Sequence, residues 1–140
     1  MTLLDAPAYN ERRARLRRVL GIVVAIVAIV AVVSVLYWPR YEARATVDHF
    51  FNAIIAKNYQ EAYAIWQANP QYYPMDAFMR DWGPDSEWGI ITSYHISQLG
   101  LPPGGHANGL VALVTINGIQ SHQARIWIEN GTRSLSFYQL

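Results

Sequence analysis

The feature that most constrains this chain is the stretch Val19–Trp38, VLGIVVAIVAIVAVVSVLYW, twenty residues without a charge. Only Gly21 and Ser34 interrupt its apolar run. A helix of that length covers about 30 Å, the hydrocarbon thickness of a bilayer. Strands seldom exceed about ten residues, and a lone span in lipid must close its backbone hydrogen bonds internally. The stretch therefore predicts a transmembrane helix over 19–38, with Tyr37 and Trp38 suited to the headgroup level. A cleavable signal sequence is the rival, since Ala43-Arg44-Ala45 fits a small-x-small cleavage pattern. The apolar core is longer than the usual ~7–15 residues, and Trp38 to Glu42 is bulky and charged, so the anchor is the better reading. Gly21, Ala25, Ala28 and Ala31 recur at near-helical spacing and could let two spans approach closely.

The flanks give a direction. Residues 1–18 form a basic tail in which five arginines (Arg12, Arg13, Arg15, Arg17, Arg18) face Asp5 and Glu11, a net +3. Residues 39–140 carry six basic and eight acidic side chains, a net −2. The arginine excess predicts a cytoplasmic tail, a single pass through an inner (plasma) membrane, and a periplasmic or otherwise extracytoplasmic domain over 39–140. The arginines beside the span are read as a topology signal and a contact for anionic headgroups. A net-negative domain offers no basic footprint for nucleic acid. The chain has no cysteine, which rules out disulfides and thiol chemistry.

Pro39 is expected to end or kink the span helix. Beyond it, Ala43, Val47, Phe50, Phe51, Ile54 and Ile55 recur at three- and four-residue steps and predict an amphipathic helix. Asn58-Tyr59-Gln60-Glu61 resembles a capping box opening a second helix, with Ala62, Tyr63, Ile65 and Trp66 on its buried side and Asn69-Pro70 closing it. A third helix is predicted from Pro74 to about Trp82, facing inward with Phe78, Met79 and Trp82, and stopped by Gly83-Pro84. The remainder reads as four strands: Trp88–Leu99, with Ile90, Tyr94 and Ile96 on one parity; Leu110–Ile116; Ile119–Glu129, with His122, Ala124, Ile126 and Ile128 on one parity; and Thr132–Leu140. Residues 101–109 make an open loop, and Asn117-Gly118 and Asn130-Gly131 are hairpin-turn dipeptides whose glycines should take positive φ. The fold class is α+β: an N-terminal transmembrane helix, then one domain of about three helices packed on a four-stranded antiparallel meander.

The segment DHFFNAIIAKNYQEAYAIW, followed by a short helix and hairpin-linked strands, resembles the nuclear-transport-factor-2-like superfamily with its cystatin-like cone. It is especially similar to small membrane-anchored bacterial members of unknown function, and the layout also resembles the cytochrome oxidase assembly protein 1 family. The resemblance covers residues 43–140. It implies a curved sheet and helices enclosing a cone, which in the superfamily often holds an apolar ligand.

On that implication Tyr63, Trp66, Phe78, Trp82, Tyr94 and Trp127 are the candidates for a ligand-binding cone, unless the rings simply fill it themselves. Superfamily enzymes such as ketosteroid isomerases place an Asp and a Tyr there, and Asp48, Asp81 and Tyr94 are the nearest such residues. None aligns to a catalytic position, and Asp81 to Asp85 reads as a helix end and turn, so no catalytic residue is expected. His49, His95, His106 and His122 lack the paired spacing of a zinc site, and Gly104-Gly105 is followed by neither a lysine nor a helix start. No cofactor and no metal are expected. The function expected is a non-enzymatic interaction module that contacts the bilayer through residues 19–38 and binds a membrane-protein partner, or itself, through the exposed sheet or the Pro102–Asn108 loop. Assistance in assembling a membrane or envelope complex is the family-level form of that expectation. The alternative is binding of, or acid–base catalysis on, a small apolar ligand in the cone.

Overall fold

The structure, a computed structural model, describes residues 10–105 and 108–139. The first nine residues of the tail, and His106 in the glycine-rich loop, lie outside the described residues. The elements are α1 (Glu11–Ile55), α2 (Tyr59–Trp66), α3 (Met75–Trp82), β1 (Tyr94–Gly100), β2 (Gly109–Ile116), β3 (Gln123–Glu129) and β4 (Leu135–Phe137). All neighbouring strands are antiparallel in the order β1-β2-β3-β4, so the chain is α+β with a simple meander. It divides into two units, Met1–Tyr37 and Trp38–Leu140.

In the first unit, Asn10 starts α1: its carbonyl accepts from the Ala14 amide at 3.1 Å and its side-chain oxygen from the Arg13 amide. The arginines from Arg12 to Arg18 are therefore helical and continuous with the apolar turns. Large apolar residues from Val19 to Leu36 are exposed all round the helix, which suits lipid and not water. Ser34 donates to the Val30 carbonyl at 2.8 Å, which satisfies its hydroxyl within an apolar setting. This is one helix long and apolar enough to cross a membrane.

Of the two outcomes expected at Pro39, an end or a kink, the end does not occur: α1 runs through it to Ile55. Proline removes one hydrogen bond, the one its missing N–H would have given the Val35 carbonyl, but its fixed φ fits a helix. Turns on both sides supply enough helical bonding to hold the conformation.

In the second unit, one layer of helices covers one face of the sheet. The stripe on α1 buries Ala43, Val47, Phe50, Phe51 and Ile54; Ile55 stays partly exposed at the helix end. Ala62 and Trp66 come from α2, and Phe78 and Trp82 from α3. The sheet answers with Ile96, Leu110, Ala112, Val114, Ile116, Ala124, Ile126, Ile128 and Leu135, every second residue of its strands, as a one-sided antiparallel sheet requires. The box at α2 forms as the sequence predicts: Asn58 Oδ1 accepts from the Glu61 amide at 3.3 Å, and Asn58 Nδ2 donates to Glu61 Oε2 at 2.7 Å. Glu61 also pairs with His49 of α1 at 2.9 Å, and Arg133 pairs with Glu42, so both ends of this part of α1 are tied to the rest of the domain.

The strand boundaries differ from those read in the sequence. β1 begins at Tyr94, six residues after Trp88, and Ile91 is the buried residue of the preceding loop while Ile90 is exposed. Asn117 explains the difference. Its side-chain oxygen accepts from the amides of Thr92 and Ser93 at 2.8 and 3.2 Å, and its Nδ2 donates to the Ile90 carbonyl at 2.9 Å. Those groups are thereby satisfied without a strand partner. β3 begins at Gln123 because two successive turns, Ile116–Ile119 and Ile119–His122, replace a two-residue hairpin. Gly118 and Gly131 have φ of +68° and +90°, as predicted for both Asn-Gly pairs. A bulge between Ile96 and Gln98 shifts the register of β1, and Ser97 Oγ caps the Leu113 carbonyl there at 3.0 Å.

Candidate functional site: two faces of one sheet

The helix-covered face holds most of the aromatic residues singled out by the sequence. Trp82 is fully buried and lies parallel to Phe137 at 5.4 Å with a 2° interplanar angle. Its ring also meets Phe50 at 5.1 Å, Trp66 at 5.4 Å and Phe51 at 5.7 Å. Tyr63 meets Phe78 edge-on at 5.4 Å, and Tyr94 stacks on Phe51 at 4.8 Å. Five of the six cone candidates, Tyr63, Trp66, Phe78, Trp82 and Tyr94, thus belong to one ring cluster in which each ring is packed against others. Trp127 does not join them. It occupies the opposite parity of β3 from Ile126 and Ile128, and therefore the outer face of the sheet.

The acid–base candidates are brought into pairs. Tyr94 donates to Asp48 Oδ1 at 2.7 Å, joining β1 to α1, and Arg44 lies 3.9 Å from the other oxygen of Asp48. Tyr73 donates to Asp81 Oδ2 at 2.6 Å, and its carbonyl accepts from the Tyr63 hydroxyl at 2.7 Å. Burial, and then the carboxylate that accepts its proton, push the Tyr94 phenol up to about 12; the same causes in the same order raise Tyr73. Each phenol is held protonated by its own carboxylate. These pairs fasten elements together: Asp48 to Tyr94 joins α1 to β1, and Asp81 to Tyr73 joins α3 to the turn before it. Among the described residues no three His, Asp or Glu side chains gather as a metal would need. His49 lies on α1, His95 on β1 and His122 in the turn before β3.

The outer face is a different surface. Register places its side chains in rows across the strands. One row is Gln98, Leu113, Arg125 and Tyr138, the last joined by its amide to the Arg125 carbonyl at 3.0 Å. The next is Gly100, Val111, Trp127 and Ser136. Leu113, Val111, Trp127 and Tyr138 are half-buried there with no helix above them. Trp127 lies nearly parallel to Tyr138 at 6.1 Å, and it can lie flat because Gly109 has no side chain: a Cβ at Gly109 would meet the indole at 2.6 Å. Leu101, Pro102 and Pro103 rise beside the two rows and complete a groove of about 560 Å³. Leu101 stands 59% exposed on its rim. Among the described residues Arg125 is the groove's one charged lining residue, and no carboxylate among them lies within ion-pair distance of it. Glu129, farther along β3, is turned to its own loop: Thr132 and Ser134 donate to its carboxylate at 2.8 and 3.0 Å, and hold its pKa below the ordinary value.

Of this surface the sequence indicated only the exposed sheet and the 102–108 loop in general terms. A signal for Trp127 was present, since it falls between Ile126 and Ile128 in a strand with clear alternation. The role of Gly109 has no signal in sequence, because it depends on which neighbour's ring crosses it. Comparison with family models, with curated proteins and with solved structures gave no match to this chain.

Proposed function

We propose that this chain is a single-pass, membrane-anchored interaction module, non-enzymatic, which binds a membrane-protein partner through the outer face of its sheet. The reading places the arginine-rich end in the cytoplasm and the α+β domain outside the plasma membrane, following the positive-inside bias. It takes the domain to be nuclear-transport-factor-2-like; the order of helices followed by an antiparallel meander supports that assignment. Help in assembling a membrane or envelope complex is the role such a module would serve, and it rests on analogy with the layout of the cytochrome oxidase assembly protein 1 family.

The observation that carries the proposal is one chain holding both an anchor-length apolar helix and a sheet face whose apolar residues Val111, Leu113, Trp127 and Tyr138 stay half-exposed among the described residues. Confinement to a bilayer raises the effective concentration of any partner in the same membrane, so a contact of modest intrinsic affinity suffices. Protease added to intact spheroplasts should remove the domain and spare the arginine-rich end; protection of the domain would reject the topology. A photo-crosslinking amino acid at Leu113, in cells, should capture a discrete membrane protein that the same group at Lys57 does not. Equal capture at both positions, or none at Leu113 while a lipophilic small molecule co-purifies, would reject the interaction reading in favour of a ligand-binding cone.

A further inference from the structure

We propose that Asn130 is a modification site, deamidating to aspartate and isoaspartate through a cyclic imide, and that the fold withholds Asn108 and Asn117 from the same reaction. The inference goes beyond the interaction-module reading and does not rest on it. Asparagine followed by glycine occurs three times, at Asn108-Gly109, Asn117-Gly118 and Asn130-Gly131. Asparagine is a thermolabile residue, and a glycine after it leaves the attacking nitrogen unshielded by a side chain. The Gly131 nitrogen bonds to Asn130 Cγ, the Cγ–Nδ2 bond breaks, and ammonia leaves carrying the proton of that nitrogen. Water then opens the ring. Attack at Cγ yields aspartate; attack at the main-chain carbonyl yields isoaspartate, in which the chain runs on through Cγ. Nothing is oxidised or reduced.

Ring closure requires the side chain to turn toward the next nitrogen and the peptide group between the two residues to reorient. The three sites differ in what opposes this. Asn117 is held by its side chain: Oδ1 accepts from the Thr92 and Ser93 amides at 2.8 and 3.2 Å, and Nδ2, the leaving group, donates to the Ile90 carbonyl at 2.9 Å. Asn108 is held by its peptide group, whose carbonyl accepts from the Asn130 amide. Gly109 beyond it is buried at the start of β2, opposite Glu129, with the Ile128 carbonyl and the Trp127 indole where a Cβ would stand. Asn130 meets neither restraint. It is exposed, and among the described residues its side chain, its carbonyl and the Gly131 amide make no hydrogen bond. The turn is tied on either side of it instead, by the Arg133 amide on the Glu129 carbonyl at 3.1 Å and by Thr132 and Ser134 on the Glu129 carboxylate. The product adds a carboxylate beside Glu129 and, as isoaspartate, one more atom to the main chain inside that turn.

The test ages full-length protein in mild detergent, at neutral and mildly alkaline pH, in water enriched in heavy oxygen. Peptide mapping by mass spectrometry with electron-transfer fragmentation reads label uptake at each of the three sites and separates isoaspartate from aspartate. A parallel sample unfolded in guanidinium gives the rate that each sequence has without the fold. In the folded protein Asn130 should react faster than Asn117 or Asn108 by about tenfold or more, since each hydrogen bond that must break slows closure by about two- to tenfold. In guanidinium the three rates should converge. Asn130→Gln should melt as the parent does and should lack the more acidic form that ion-exchange chromatography resolves in the aged parent. Equal rates at Asn130 and Asn117 in the folded protein overturn the proposal, as does an unmodified Asn130 once the unfolded sample has reacted. So does an excess at Asn130 that persists in guanidinium, which would put the selectivity in the sequence and not in the fold.

Discussion

Trp82 is the centre of the ring cluster, and its replacement separates two opposed contributions. The indole is fully buried and packs against Phe50, Phe51, Trp66, Trp88 and Phe137, yet its Nε1–H has no hydrogen-bond acceptor among the described residues. Truncation to alanine removes the whole ring from a packed site and should cost about 3–5 kcal/mol, a large part of the ~5–15 kcal/mol that holds a domain of this size. Trp82→Phe removes much less. Two carbons leave the core at about 0.8 kcal/mol each, with a small cavity term added, roughly 2 kcal/mol in all. Against that, the orphan N–H disappears with the indole, and leaving such a donor buried costs about 1–3 kcal/mol. The net effect of Trp82→Phe should therefore lie near zero, within about 1 kcal/mol either way. Guanidinium unfolding of full-length protein in mild detergent, followed by far-UV circular dichroism, reads the difference as a shift in midpoint at constant slope. If Trp82→Phe costs as much as Trp82→Ala, the N–H has an acceptor and the ring contacts are not the main term.

Gly118→Val and Gly131→Val should each destabilise the domain by about 1–3 kcal/mol in the same assay, because a β-branched residue is strained at their positive φ; neutrality at both would mean that the turns are misassigned. Gly109→Ala should cost about 1–3 kcal/mol and change the fluorescence of Trp127, since the new methyl would run into the Ile128 carbonyl oxygen and then the Trp127 indole; an unchanged emission spectrum would place Trp127 elsewhere. The Tyr94 phenol titrates near 10 when unfolded and about 12 when folded, so its contribution to stability is complete below pH 10 and lost as pH rises through 12. Tyr94→Phe should flatten the fall in stability between those limits, leaving the part due to Tyr73; an unaltered alkaline slope would mean that neither burial nor Asp48 raises the Tyr94 phenol.

What could be read from the sequence was what depends on neighbours in the chain. The α1 stripe follows from side chains repeating with the helical period, and the cap at Asn58 and Glu61 is a contact across three residues. Positive φ at Gly118 and Gly131 follows from local turn chemistry. What could not be read depends on groups far apart. Asn117 holds residues 90–93 away from the sheet through contacts spanning 24 to 27 positions, and this moves the start of β1 past the alternation that marked it. Pro39 signals a break locally, but helical turns on both sides outweigh one missing bond. Asp48 and Tyr94 stand 46 positions apart, so their use of each other as partners was not legible either. Aromatic content alone pointed to a cone, while the side of the sheet on which each ring stands was carried by strand parity, the weaker signal of the two.

The two faces of the sheet meet the same physical demand in different ways. A four-stranded antiparallel sheet must cover apolar area on any face that carries it. On the inner face the helices do this, and rings from α1, α2, α3 and β4 fill the space between layers. On the outer face no described helix takes that part, and the chain covers some of the area with its own side chains laid flat: Trp127 over Gly109, stacked on Tyr138. That device reaches from the β4 end across β3 only to the first residue of β2. Toward β1 the apolar positions Val111, Leu113 and Leu101 are left half-covered or open, and the one charge among them, Arg125, has no partner among the described residues. Burying that remaining strip would release about 25 cal/mol for each Å² of apolar surface removed from water, and a carboxylate would add directional pairing at its centre. Under the proposed function, that strip is where a partner confined to the same membrane would dock.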